Sequence, residues 1–203
     1  GEHRRTQPAH RTLGPPWPAS GARRWQAKGA QGFGAPVAFD DALLVATHGD
    51  GSAAAVMCLA AETGSERWRV PLRDADAVAI VRSGDSVLAI SRDAERGPVD
   101  PDSIPSGGRT GHVRAFDAAT GTLRWSRRVP GVPLGAPAIA GGTGYFETIA
   151  GQIVAIDLGT GRVEWEAGTE VPSARPLVAS DGLVFAPGLR AFDGTTGAVR
   201  WAA

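Results

Sequence analysis

One eleven-residue pattern recurs along this 203-residue chain and limits what it can fold into more than any other feature. Residues 115–125 read AFDAATGTLRW, residues 155–165 AIDLGTGRVEW, and residues 191–201 AFDGTTGAVRW. A worn copy, CLAAETGSERW, spans 58–68, and a remnant, SGARRW, closes at Trp25. Every copy keeps a Gly four residues before a Trp: Gly21/Trp25, Gly64/Trp68, Gly121/Trp125, Gly161/Trp165 and Gly197/Trp201. Successive Trp residues are 43, 57, 40 and 36 residues apart. Self-similarity at this period marks a repeat architecture, in which each unit buries its apolar face only against its neighbours.

Each part of the pattern has a physical role. Ala115–Asp117 and Val154–Asp157 alternate with period two and read as strand. Asp117, Asp157 and Asp193 then start a turn, because a short carboxylate accepts from backbone N–H groups just ahead of it. The Gly after Thr suits a backbone with positive φ, where a Cβ costs roughly 1–2 kcal/mol. Such a Gly after a type I turn closes a hairpin, and the chain returns in a strand that carries the Trp. An indole at the same place in every repeat is expected to cover the same seam between repeats. Two further strands precede each pattern. The first are expected at 36–39, 77–81, 137–140 and 176–179, and the second at 43–47, 86–91, 145–148 and 183–186. A Pro that opens a strand removes no needed ladder donor.

The pattern Ala-x-Asp-x-x-Thr-Gly-x-x-x-Trp resembles the tryptophan-docking motif of the PQQ-type (pyrroloquinoline-quinone-type) β-propeller repeats. It is complete at 115–125, 155–165 and 191–201; at 58–68 Cys58 replaces the Ala and Ala60 the Asp. The resemblance covers residues 20–203. It implies an all-β propeller of four-stranded antiparallel blades, in which Trp25, Trp68, Trp125, Trp165 and Trp201 dock successive blades. Gly64, Gly121, Gly161 and Gly197, with Asp117, Asp157 and Asp193, would build the docking turns. Four full blades are expected, preceded by an extra outer strand at 22–26. The last blade has its own Trp strand, so that extra strand does not complete it. An open arc, or part of a larger ring of seven or eight blades, is therefore expected, with open edges as a route to self-association.

Composition bounds the remaining readings. The 28 Gly and 15 Pro, about a fifth of the chain, stay below the roughly 25–30 per cent of low-complexity sequences and read as turn punctuation. Twenty-one cations balance twenty-one anions, so no bulk attraction to nucleic acid or anionic lipid is expected. No apolar run approaches the ~20 residues of a membrane span. Cys58 is the only cysteine, at an apolar strand position, which excludes an internal disulfide and reads as a buried inert thiol. Residues 1–19 lack apolar periodicity and read as a flexible basic leader. Residues 92–112, RDAERGPVDPDSIPSGGRTGH, read as a loop inserted between two strands of the second blade. Its acids, Asp93, Glu95, Asp100 and Asp102, lack the ligand order of a calcium loop. His48 opens a second loop, 48–52, and has no paired ligand at useful spacing.

The resembling family includes quinoprotein dehydrogenases, an outer-membrane assembly scaffold and extracellular sensor domains of bacterial kinases. Fold alone does not choose among these. The dehydrogenases hold their quinone with a vicinal Cys pair and a calcium ligated by Glu, Asn and Asp, whereas this chain has one Cys and no Asn. No nucleophile elbow, phosphate-cradling loop or zinc spacing is present either. The sequence therefore points to a non-enzymatic scaffold or sensor-type module that binds another protein or an envelope ligand. It carries no catalytic, cofactor-binding or metal-ligating residues, and the resemblance implies an extracytoplasmic site. The alternative is a fragment of a PQQ-dependent dehydrogenase.

Overall fold

The computed structural model describes residues 25–26, 32–48, 54–73, 75–93, 110–133, 135–169 and 176–202. Among these, every regular element is a strand, and the strands form four separate antiparallel sheets. The first sheet holds β1 (Gly32–Phe33), β2 (Val37–Phe39), β3 (Ala42–His48), β4 (Ala54–Ala60) and β5 (Glu66–Leu72). The second holds β6 (Ala75–Ser83), β7 (Ser86–Asp93), β8 (Thr110–Asp117) and β9 (Leu123–Pro130). The third holds β10 (Ala138–Ala140), β11 (Thr143–Thr148), β12 (Gln152–Asp157) and β13 (Val163–Gly168). The fourth holds β14 (Val178–Ser180), β15 (Leu183–Ala186), β16 (Arg190–Asp193) and β17 (Val199–Ala202). Each sheet is a meander in chain order, which makes it one propeller blade.

The first blade has five strands because its inner strand is broken. β1 and β2 both pair with β3, on Thr47–His48 and on Ala42–Leu44 respectively. Pro36 lies in the gap and has no N–H for the ladder, while the Gly34 N–H still reaches the Ala46 carbonyl at 2.9 Å. The same chemistry trims the other inner strands. Pro137 and Pro176 precede rather than open β10 and β14. The expected outer strand at 22–26 lies mostly outside the described residues; Trp25 and Gln26 are described, and neither is in a strand. The leader 1–19 also lies outside them, as do 49–52 of the loop expected at 48–52; its first residue, His48, is not in a loop but ends β3, paired with Gly32. Of the insertion expected at 92–112, the ends belong to β7 and β8, and 94–109 lie outside the described residues.

The core is distributed between blades. Leu44, Val56 and Cys58 of the first blade pack with Val87, Ala89 and Phe116 of the second. Ile90, Val113 and Val129 of the second pack with Phe146, Val154 and Ile156 of the third. Tyr145, Ile153 and Trp165 of the third pack with Val184, Ala186 and Phe192 of the fourth. Among the described residues no strand of the fourth blade pairs with the first. The four blades form an open arc.

Candidate functional site: the tryptophan seams

The recurrent Trp stands at the end of a row of paired residues that crosses each blade. In the first blade the row is Val37, Leu44, Cys58, Trp68. In the second it is Val81, Leu88, Ala115, Trp125. In the third it is Ala138, Tyr145, Ala155, Trp165, and in the fourth Val178, Phe185, Ala191, Trp201. Directly paired residues share one face of a sheet, so each row is an apolar flank turned to the next blade. The third member is always small, and all four are buried. This is where Cys58 sits; burial pushes its thiol above its ordinary pKa.

The register of the two outermost strands slips at the same point in every blade, beside that small residue. The residue left unpaired is Arg67, Arg124, Glu164 or Arg200, immediately before the Trp. A bulge of this kind re-aims the side chains on either side of it. Here Arg124 and Arg200 turn back toward their own hairpins, while the Trp beside each bulge lies on the flank turned to the neighbouring blade.

Four of the five indoles then meet the Thr-Gly turn of the following repeat. Trp25 lies over Gly64, Trp68 over Gly121, Trp125 over Gly161, and Trp165 over Gly197. A Cβ added to any of these glycines would stand 2.5–2.8 Å from an indole carbon. The glycine is required twice, for this approach and for a φ of 71–73° at all four turns. The indole N–H donates to the carbonyl three residues before the Gly: Ala61 at 2.9 Å, Ala118 at 3.2 Å, Leu158 at 2.9 Å and Gly194 at 2.9 Å. The five indoles are not equivalent. Trp165 is 8% exposed, Trp25, Trp68 and Trp125 are half-buried, and Trp201 is 45% exposed with no turn over it among the described residues. Its recorded ring contact is Phe185, at 6.2 Å between centroids.

The Asp residues of the pattern serve their own turns. Asp117 Oδ1 accepts from the Ala119 and Thr120 N–H groups and from the Thr120 hydroxyl, at 2.9–3.1 Å, and its Oδ2 accepts from Arg124 at 2.6 Å. Asp193 repeats this with Thr195, Thr196 and Arg200. Asp157 keeps the Thr160 contacts, but Glu164 occupies the Arg position. The guanidinium and then the turn donors hold Asp117 and Asp193 down to about 2, while Asp157 is lowered chiefly by the Thr160 hydroxyl. In the worn repeat Ala60 offers no carboxylate, and Arg67 donates across the blade to Asp41 Oδ1 at 2.9 Å instead.

A lowered folded-state pKa contributes stability that is complete above the ordinary carboxylate value of about 4 and disappears as pH falls toward the folded value. The urea midpoint is therefore expected to fall between about pH 4 and pH 2, and the Asp117→Asn/Asp193→Asn double variant to show a shallower fall over that window. Equal slopes for the two proteins would remove the turn carboxylates from the acid response.

A cleft of about 330 Å³ opens between the first two blades, lined by Phe39, Arg82, Asp85, Asp117 and Arg124. The Arg82 guanidinium lies 4.9 Å from the Phe39 ring centre and its Nε–H donates to the Gly84 carbonyl. Asp117 and Arg124 hold each other. Of the groups that wall the cleft, Arg82, Asp117 and Arg124 are thus engaged with adjacent turns. Among the described residues, no cluster of three or more His, Cys, Asp or Glu is placed to hold a metal. No helix among them is long and apolar enough to cross a membrane.

The family model described as outer membrane protein assembly factor BamB matches residues 17–95 and 85–203. The chain belongs to the PQQ-type β-propeller repeat family. Serine/threonine-protein kinase AfsK of Streptomyces griseus is 31% identical over 181 residues, which cover 83% of this chain and 20% of the kinase. The dehydrogenase subunit of a quinone alcohol dehydrogenase from Gluconacetobacter polyoxogenes is 33% identical over 122 residues, 44% of this chain and 16% of that protein. The chain thus spans a fifth or less of the length of these two relatives. Among solved structures, the computationally designed Ika8 protein superposes with a TM-score of 0.62 at 17% identity, over 84% of this chain and 48% of that one. That likeness concerns the fold alone.

Proposed function

We propose that this chain is a non-enzymatic propeller module that presents a rigid surface to another protein outside the cytoplasm. The observation that carries the reading is how the repeat spends its chemically distinctive side chains. Asp117, Asp157 and Asp193 cap their own turns, and four of the five indoles fill seams. The signature thus builds a platform, and recognition falls to what the platform displays. Two likenesses support this. The matching family model is described as an outer membrane protein assembly factor, and the alignment with a kinase takes in most of the chain, against less than half for the quinone dehydrogenase. The chain leaves β7 at Asp93 and re-enters β8 at Thr110, at the blade end opposite the Thr-Gly turns. The segment between is the first place to look for partner contacts, since binding residues concentrate on loops held by a rigid scaffold.

The test is a direct titration. A protein cross-linked to this chain in a cell-envelope extract, once purified, is expected to bind it with micromolar or tighter affinity, and deletion of 95–108 to weaken that binding at least tenfold. Calorimetry with pyrroloquinoline quinone and calcium is expected to show no saturable heat. Saturable quinone binding by the chain alone would replace this reading with the dehydrogenase.

A further inference from the structure

The four blades are built on one plan, so a residue that departs from its equivalents marks something the plan itself does not need. Three departures meet in the cleft between the first two blades. By register Arg82 is equivalent to Ala38, Ile139 and Ala179, which are all apolar. Phe39 is equivalent to Ser83, Ala140 and Ser180, which are all small. Ala118 stands where the third repeat has Leu158. Between the second and third blades Ile139 and Leu158 pack in one apolar cluster. Between the first and second an Arg and an Ala take those two places, and the seam opens into the cleft of about 330 Å³. That is the share of roughly eleven liquid waters at ~30 Å³ each, and it falls at the lower end of the range for small-molecule sites.

The cleft holds opposite charges that do not meet. The Arg82 guanidinium lies on the Phe39 ring and its Nε–H donates to the Gly84 carbonyl, while its terminal nitrogens have no partner among the described residues. Asp117 and Arg124 neutralise each other. Asp40 and Asp85 line the same cleft, and neither carboxylate has a hydrogen bond or an ion pair among the described residues. The fourth blade shows the contrast. There the Ser180 hydroxyl donates to the Asp181 carboxylate, whereas the equivalent neighbour of Asp40 is Phe39, whose ring has no proton to give. A guanidinium offers a carboxylate two parallel N–H groups, and a carboxylate accepts from an ammonium. A purely cationic ligand would meet Arg82, and a purely anionic one would meet Asp40 and Asp85. A ligand that carries both charges satisfies both walls.

We propose that this cleft binds a free α-amino acid with a small aliphatic side chain. Its carboxylate lies on the terminal nitrogens of Arg82, its ammonium on Asp40 and Asp85, and its side chain against Ala118. The site is at the Thr-Gly end of the blades, opposite the segment between β7 and β8, so it stands independently of any protein partner.

The test is calorimetric titration of the whole chain with three probes: L-leucine, leucinamide, which keeps only the ammonium, and N-acetyl-leucine, which keeps only the carboxylate. Leucine is expected to give saturable heat with a millimolar or tighter Kd, and each single-charge probe to bind at least tenfold more weakly. Arg82→Gln and Asp85→Asn are each expected to weaken leucine at least tenfold. Both residues are exposed, so both variants are expected to keep the wild-type circular dichroism. Ala118→Leu, which installs the residue of the third repeat, is expected to fill the cleft and abolish the heat. Should Ala118→Leu fail to fold, the probes and the two charge variants still decide the matter. No saturable heat from leucine, equal affinity for the three probes, or wild-type affinity in Arg82→Gln or Asp85→Asn would each overturn the inference.

Discussion

Trp165→Ala is expected to lower the free energy of unfolding by about 3–5 kcal/mol, the range for removing a buried large aromatic side chain. The same change at Trp201, measured where the chain is monomeric, is expected to cost about 1 kcal/mol or less, as for surface positions generally. The two residues close copies of the same pattern that share six of eleven letters, and both stand on the same row of their blade, so the contrast bears chiefly on docking. Trp165 packs with Ala155 in its own blade, with Tyr145, and with the Gly197 turn and Gly194 carbonyl of the next. Trp201 has the first two kinds of contact, through Ala191 and Phe185, and lacks the turn. The loss at Trp165 is also expected to be local. The fourth blade joins the rest of the described arc through this one seam, and repeat stability is a sum of unit and interface terms. Hydrogen exchange should therefore accelerate in β14–β17 of Trp165→Ala before it does in β6–β9. Uniform acceleration through all four blades, or a cost at Trp201 equal to that at Trp165, would remove the seam as the unit of stability.

The blade plan is legible in the sequence because the repeat fixes it at two levels. Period-two alternation gives the strands, and the Asp-x-x-Thr-Gly spacing gives the hairpin that joins the outer two. The positions of β7, β11 and β15 follow from the same reading to within two residues. The bulge is not legible in this way. Its unpaired residue is a variable letter of the pattern, Arg67, Arg124, Glu164 or Arg200, and alternation predicts unbroken pairing through it. One signal was available, an Arg seven residues after Ala60, Asp117 and Asp193, a spacing that places a cation beside each turn. Ala60 shows why the worn repeat survives: its Arg67 finds Asp41 on the neighbouring hairpin instead. The carbonyl that receives each indole N–H could not be read either. Backbone acceptors have no letter, and the turn that supplies each one belongs to the next repeat. Nor does the sequence separate Trp165 from Trp201. Their difference in burial comes from what stands beyond each blade, which is a property of the arc.

Gly161→Ala is expected to destabilise the chain by two separable terms, whereas Gly182→Ala carries one. Both glycines have a left-handed φ, 71° and 75°. A Cβ in that region costs roughly 1–2 kcal/mol at either position. Around Gly182 an added Cβ would meet nothing within 4 Å, so the backbone term is the whole cost. At Gly161 the same atom would stand 2.6 Å from Trp125 Cδ2 and Cε3. The indole is fixed by its N–H bond to the Leu158 carbonyl and by packing against the core cluster that the second and third blades share, so it cannot tilt away without loss. Overpacking of this kind adds about 1–3 kcal/mol. The difference between the two variants in urea denaturation thus reports the close approach alone. Trp125→Ala combined with Gly161→Ala sharpens the measurement, because removing the indole leaves the added methyl nothing to strike. The double variant is expected to lie closer to Trp125→Ala than the sum of the single changes, by an interaction of at least about 1 kcal/mol. Strict additivity, or equal costs at Gly161 and Gly182, would mean that these turns need glycine only for the shape of the backbone and that the indole above them is incidental.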